Sequence, residues 1–213
     1  MKILVTGFDP FGGESINPSM EAVRRLPEML GQVRLIKAQI PTAARRSLIV
    51  LRQLIEQHDP QMICCVGQAG GRRGITVERI GINVDDFRIP DNDGDQPVDE
   101  PVFAQGPDAY FVNLPVKAMV AAIRNQGIEA SLSNSAGTFV CNHVTYGVRY
   151  LIEHHYPGKR SGFIHLPFLT QQVADKPGMP AMELEEMVRG LTAALEAMAQ
   201  TKTDLRYSEG TLN

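Results

Sequence analysis

The 213 residues are 43% hydrophobic and 21% charged, with a formal net charge of -3, the composition of a globular protein with one large core. No run of 18 apolar residues is present to span a bilayer, and no Lys/Arg block offers the clustered positive charge that nucleic-acid phosphates require. The opening MKILVTGFDPFGG holds only three apolar residues between Lys2 and Thr6, too few for a signal-peptide core, so the cytoplasm is the expected location.

Short apolar runs alternate with segments of helical period. Residues 2–6 (KILVT) read as a strand. Asn17 and Pro18 then suit an N-cap and first helical position for SMEAVRRLPEML. Residues 33–40 read as a second strand. Beyond Pro41, Leu48, Leu51, Leu54 and Ile55 share one face of a helix over 42–58. MICCVG (62–67) is the most apolar strand and is expected at the centre of the sheet. Val116, Met119, Val120 and Ile123 mark another helix, with Gly127 as its stop. Strands at 129–133 and 162–167 flank a helix over about 142–155, and Leu184, Met187, Val188, Leu191 and Leu195 define a last long helix. Such alternation predicts an α/β fold, a mainly parallel sheet with helices on both faces. Residues 67–108 break the rhythm with Gly, Pro, Asp and Asn, and long irregular stretches in compact domains are usually functional. The tail over about 201–213 is polar and expected to be loosely held.

Ligands of such sheets gather at the carboxyl ends of the strands. TGFDPFGG, GQAGGR, NSAGTFVC and His165 would then share one edge. Cys64 and Cys65 are neighbours in an apolar strand and the cysteine count of three is odd, which argues against a disulfide framework. Cys141 falls where a helix begins, and backbone N–H groups there would favour a thiolate and could hold an oxyanion. On position alone it fits either a nucleophile or a buried structural cysteine. A thiol nucleophile needs a base, and among five histidines only His165, inside FIHLP, sits where an apolar strand would not choose one. His143, two residues from Cys141 on the same helix, points elsewhere. Glu78, in the apolar run ITVERIGIN, is costly to bury unless paired with the histidine or an arginine. DNDGD (91–95) begins like a calcium loop but has Gln96 and Val102 where Gly and Glu are required, and no zinc spacing occurs. No phosphate loop or GxSxG elbow is present either.

With these residues in hand, the chain resembles the pyroglutamyl peptidase I (pyrrolidone-carboxylate peptidase) family of cysteine peptidases. The likeness runs through TGFDPFGG and NPSMEAV, IPT, VGQAGGR, ERIGIN, RIPDN, QPVDE, GPDAYF, LPVKAMV, SNSAGTFVCNHV and GFIHLPFL, all in the family's order. It implies a single α/β/α domain over 1–213 around a twisted, mostly parallel mixed sheet, and a homodimer or homotetramer. The reaction implied is hydrolysis of the amide after an N-terminal pyroglutamyl residue, with Cys141 as nucleophile, His165 as base and acid, and Glu78 as its carboxylate. Phe8, Phe11, Phe139 and Val140 match positions that wall the pyroglutamyl slot. The Gln68 backbone carbonyl matches an acceptor for the lactam N–H, and Arg88 matches a position that helps hold the oxyanion. Peptides with N-terminal pyroglutamate are the implied partners, and no metal or cofactor is implied. Val77 stands where the family often has Pro, and Phe168 where Tyr is frequent. Cys64 and Cys65 beside the site lead one to expect background thiol reactivity.

Two rival readings fit the same residues. The same three groups would serve an amidase or acyltransferase acting on another small acyl or cyclic substrate. The α/β architecture alone would also suit a non-catalytic binder of a small ligand.

Overall fold

The computed structural model describes residues 1–210; of the polar tail, 211–213 lie outside the described residues. The chain runs β1 (Lys2–Phe8), α1 (Pro18–Arg25), β2 (Met29–Leu30), β3 (Val33–Ile40), α2 (Ala44–His58), β4 (Met62–Gln68), β5 (Ile75–Glu78), β6 (Ile80–Ile82) and β7 (Ala109–Phe111). It continues with α3 (Val116–Asn125), β8 (Ala130–Ser133), α4 (Val140–His155), β9 (Arg160–Leu166), β10 (Phe168–Leu169), β11 (Ala181–Met182) and α5 (Leu184–Gln200). Asn17 caps α1 as expected, its Oδ1 accepting from Ser19 N at 3.1 Å. The helix ends at Arg25 rather than continuing to Leu30, because Pro27 cannot extend it. Met29 and Leu30 instead pair antiparallel with β3.

Seven strands form one sheet in the order β2-β3-β1-β4-β9-β5-β8, with β4 at the centre. β1, β3, β4 and β9 are parallel, whereas β2, β5 and β8 run the other way. The segment read as irregular therefore supplies an interior strand, β5, between β9 and β8. On one face Ile3, Val5, Cys64, Val66, Ile164 and Leu166 pack with α1, α3 and α5. On the other, Leu4, Phe8, Ile63, Cys65 and Phe163 pack with α2 and α4.

β5 (ITVE) and β8 (ASLS) alternate strictly. Ile75, Val77, Ala130 and Leu132 join the first core. Thr76, Glu78, Ser131 and Ser133 therefore face the side that α2 and α4 occupy, and this polar side of the sheet's last two strands frames the site described below.

Helix starts are finished in two ways. α2 and α3 follow Ala43 and Pro115, which offer no side-chain cap, and carboxylates from far along the chain take their place. Asp91 Oδ2 accepts from Ala44 N at 2.9 Å while Oδ1 closes its own loop by accepting from Asp93 N and Asp95 N, so DNDGD is a tertiary cap. Asp204 accepts from Lys117 N at 3.1 Å and Ala118 N at 2.9 Å. Glu209 forms a bidentate pair with Arg124, both contacts 2.9 Å, so the described part of the tail is fastened to α3 rather than loose.

Replacing Asp204 with Ala removes both capping bonds and should lower stability by about 0.5–2 kcal/mol, the usual range for a lost N-cap. A urea midpoint equal to wild type would show that the tail does not hold α3.

Candidate active site

Strand register sets the site. Gly67 of β4 pairs with His165 of β9, His165 with Thr76 of β5, and Thr76 with Ser131 of β8. These four lie in one lateral row on the α2/α4 face. Glu78 lies in the next row, paired with Phe163 and Ser133. The N-terminal turn of α4 comes down over β4, where Gly67 makes room: a Cβ there would meet Cys141 Sγ at 3.0 Å and Phe163 Cζ at 2.7 Å. Cys141, His165 and Glu78 are thus brought together, the first on a helix start and the other two on neighbouring strands.

His165 is buried, and its Nδ1 donates to Glu78 Oε1 at 2.8 Å. With an ionised carboxylate on Nδ1, the neutral ring carries its lone pair on Nε2, the nitrogen left for the thiol proton. The same Glu78 Oε1 accepts from Arg72 Nη1 at 2.5 Å. Arg72 also reaches the Thr76 hydroxyl and donates from Nη2 to the Ser135 carbonyl at 3.1 Å. Burial pushes the Glu78 pKa up, but the hydrogen bond and charge of His165 and the charge of Arg72 outweigh it, leaving the carboxyl below its ordinary range. Burial draws the His165 pKa below its ordinary value against the pull of Glu78.

The thiol departs from the sequence expectation. Burial pushes Cys141 up to about 12, the Glu78 charge adds to this, and Arg72 opposes it. Both directions favour an uncharged thiol beside an uncharged imidazole over a thiolate made by the helix start alone. Cys65 is likewise raised by burial to about 12, and Cys64 is raised by burial with Cys65 beside it. Both are almost fully buried, so they are poor candidates for the background reactivity expected of them.

Unlike α2 and α3, α4 begins after Phe139 with no side chain, local or distant, bonded to its first amides among the described residues. Its first backbone bond is His143 N to Phe139 O at 3.1 Å, which leaves the amides of the preceding turn for an incoming oxyanion. Asn142 fixes that turn, accepting from Ile82 N and donating to the Ile82 and Val84 carbonyls, each at 2.9 Å. His143 faces away from Cys141, as read, and meets Asp85 Oδ2 at 2.7 Å.

The candidate slot residues lie toward β1. Phe11 and Phe139 are half-buried with ring centroids 5.9 Å apart, and Phe139 meets Phe87 at 4.7 Å. Phe8 is core, 6.1 Å from the Phe163 ring, which in turn lies 4.7 Å from His165. The Val140 side chain is core as well, and its contribution at this position is the first amide of α4. Ala69 N donates to Leu166 O at 2.8 Å. The alternation of a parallel ladder therefore turns the Gln68 carbonyl away from β9 and toward β1, whose pairing with β4 ends at Thr6 and Cys65. Arg88 is exposed on the loop after Phe87, with no hydrogen bond or ion pair among the described residues. The arginine that the structure puts against the Glu78 carboxylate is Arg72, half of the adjacent pair Arg72/Arg73. Its sole sequence signal was the need of a buried Glu78 for a cation.

The carboxyl ends of β1, β4 and β9 share one edge as expected. The loop after β8 does not leave from that edge, because β8 is antiparallel to those strands, yet it still delivers α4 to Gly67.

A family model described as pyroglutamyl peptidase matches residues 1–201. A pyrrolidone-carboxylate peptidase of Clostridium botulinum is 50% identical over 210 residues, and one of Streptococcus pyogenes is 52% identical over 212, each alignment covering 99% of both chains. The solved pyroglutamyl peptidase I of Bacillus amyloliquefaciens is 45% identical with a TM-score of 0.94, covering 97% of this chain and 99% of its own. The pyrrolidone carboxyl peptidase of Thermococcus litoralis, at 34% identity, superposes with a TM-score of 0.92 over 97% of this chain and 99% of that one. With sequence, fold and site in agreement, this chain belongs to the pyroglutamyl peptidase family of cysteine peptidases.

Proposed function

We propose that residues 1–213 act as one catalytic domain that removes an N-terminal pyroglutamyl residue from peptides, with Cys141, His165 and Glu78 as its catalytic groups. The observation that carries the assignment of roles is the chain of contacts from Glu78 through His165 to a thiol seated over Gly67 at an uncapped helix start. His165 Nε2 takes the Cys141 proton as Sγ attacks the pyroglutamyl carbonyl carbon. The oxyanion that forms is held by the first-turn amides of α4. Collapse breaks the C–N bond, and the leaving nitrogen takes the proton back from His165, giving a thioester. Water, deprotonated by His165, then attacks the thioester to release pyroglutamate and restore the thiol. Glu78 keeps the imidazole in the right tautomer throughout and favours the imidazolium that forms transiently.

Pyroglutamate is a neutral lactam, so its pocket calls for flat apolar walls and a few hydrogen-bonding groups. Phe11 and Phe139 suit the walls, Phe8 backs them through the core, and the Gln68 carbonyl suits the lactam N–H. Val140 contributes its amide. Arg88, exposed on the loop after Phe87, remains in the proposal as a cation that helps hold the oxyanion. No metal or cofactor is called for by these steps. A thiol, its base and an uncapped amide turn in one place favour turnover over simple ligand binding.

Among the described residues no helix is long and apolar enough to cross a membrane. The three free cysteines support a reducing, cytoplasmic setting. Assembly as a homodimer or homotetramer follows from the family resemblance.

Purified protein under reducing conditions should release the amine from a pyroglutamyl amide and leave a prolyl amide intact, and Cys141→Ala should abolish the release. Equal cleavage of another acyl amide would move the assignment to the rival amidase. Because His165 must be neutral to accept the proton and its pKa is lowered, activity should hold through pH 6.5 and fall only as pH drops through a value below it. Glu78→Gln removes the hydrogen bond and charge that raise the His165 pKa, so its acid limb should move lower still; an acid limb above pH 6.5 in wild type would contradict this state of the pair. Gly67→Ala should reduce kcat by on the order of 10²-fold, the scale of loss for a group displaced by about 1 Å. Wild-type kcat in that variant would mean that the thiol does not need the space.

A further inference from the structure

The geometry points to a binding site for the leaving peptide, in a groove over β5 and β8 that continues the catalytic row beyond His165. The inference rests on the function proposed above and extends it to the residues after pyroglutamate. The groove has a volume of about 550 Å³ and is lined by Arg72, Arg73, Thr76, Glu129, Ser131 and Ser133, among others. That volume lies within the range of ordinary ligand sites.

Direction follows from the order of the strands. Thiol and base are set over neighbouring strands, β4 and β9, and the pyroglutamyl walls and the Gln68 carbonyl lie on the β1 side of the thiol. His165 must reach the leaving nitrogen, so the leaving chain departs on the His165 side. The next side chains along that row are Thr76 and then Ser131, which form the floor of the groove. Strands are about 4.8 Å apart, so the distance from β9 to β8 is roughly 10 Å. At about 3.3–3.6 Å per extended residue, that accommodates about three residues of peptide.

The chemistry of the lining fits a main chain. α3 covers β5 and β8 on the opposite face, whereas this face presents hydroxyls. The Ser131 hydroxyl has no hydrogen-bond partner among the described residues and is half-buried, open to a peptide carbonyl. Arg72 is already committed to Glu78, Thr76 and Ser135 and acts as a fixed positive wall. Arg73 is exposed at the rim and forms no ion pair among the described residues, so it is free to meet an acidic side chain or the carboxylate of a short peptide. Glu129, exposed at the same rim, disfavours extending the acidic character further out.

The test compares kcat/KM for a pyroglutamyl tetrapeptide with that for a pyroglutamyl amide of a small amine. Ser131→Trp, which fills the floor of the groove on a strand that tolerates an aromatic residue, should lower the peptide-to-amide ratio at least tenfold. Arg73→Glu, a surface change, should lower the ratio of kcat/KM for Asp over Lys at the position after pyroglutamate by about fivefold or more. Unchanged ratios in both variants would overturn the groove assignment while wild-type cleavage of the small amide left the function intact. Failure of the wild type to cleave either pyroglutamyl substrate would instead overturn the function on which the groove depends.

Discussion

Everything at the site hangs on one oxygen. Glu78 Oε1 is shared between His165 Nδ1 and Arg72 Nη1, while Oε2 of the same carboxylate is buried with no hydrogen-bond partner among the described residues. A carboxylate taken out of water costs several kcal/mol, and it stays ionised only if charge and hydrogen bonds nearby offset that cost. Arg72 does so from the polar side of the sheet and His165 from the strand alongside. The arrangement fixes three things together: the charge on Glu78, the tautomer of His165, and the rotation of the imidazole about its bond to β9. If Glu78 were neutral, its carboxyl proton would compete for the shared contacts and the imidazole would lose the acceptor that directs its lone pair to Nε2.

The sheet divides labour between its faces around this oxygen. One face is filled by α1, α3 and α5 and is largely apolar, with Lys37 and Gln39 of β3 bonded to α1 at its margin. The other is apolar under α2 and α4, from β3 to β9, and turns polar at β5 and β8. The antiparallel entry of β5 is what permits the change: it carries Thr76 and Glu78 back alongside His165 and Phe163 without a crossover connection. A buried carboxylate can therefore lie one strand away from the core and still be reached by a guanidinium that is 29% exposed.

Much of this was legible in the sequence, and the failures have physical causes. Helical and strand periods located the main elements because amphipathic burial writes itself into local spacing; α2, α3 and α5 are examples. The cysteine at a helix start, the histidine in an apolar strand and the glutamate in an apolar run were each chemically conspicuous, and the family resemblance joined them. Strand order was not legible, because pairing between distant segments leaves no local period. A four-residue strand such as β5 was lost among glycines and prolines, and the direction of β8 was hidden for the same reason. Asp91 and Asp204 looked like loop and tail residues because a cap supplied from 47 or 86 residues away has no sequence neighbour to announce it. Arg72 was concealed by Arg73 beside it, since only the fold turns one inward and leaves the other at the rim.

Cys141 is half-buried, and the desolvation of its thiol bears directly on the mechanism proposed for it. A helix start alone would favour a standing thiolate, but here burial and the Glu78 charge act against the anion more strongly than Arg72 acts for it. Burial lowers the basicity of His165 at the same time. Both shifts move the resting pair toward the uncharged form, so separating charge between sulfur and imidazole is uphill until a carbonyl is in place. In the proposed mechanism, negative charge would pass from sulfur to the substrate oxygen, where the uncapped amides would receive it, leaving the imidazolium against Glu78. The favourable electrostatics are thus aligned with the tetrahedral intermediate rather than with the free thiol. Since thiolates are the form that oxidants and stray electrophiles attack, a nucleophile of the proposed kind is expected to react with a bound acyl group and to stay quiet in its absence.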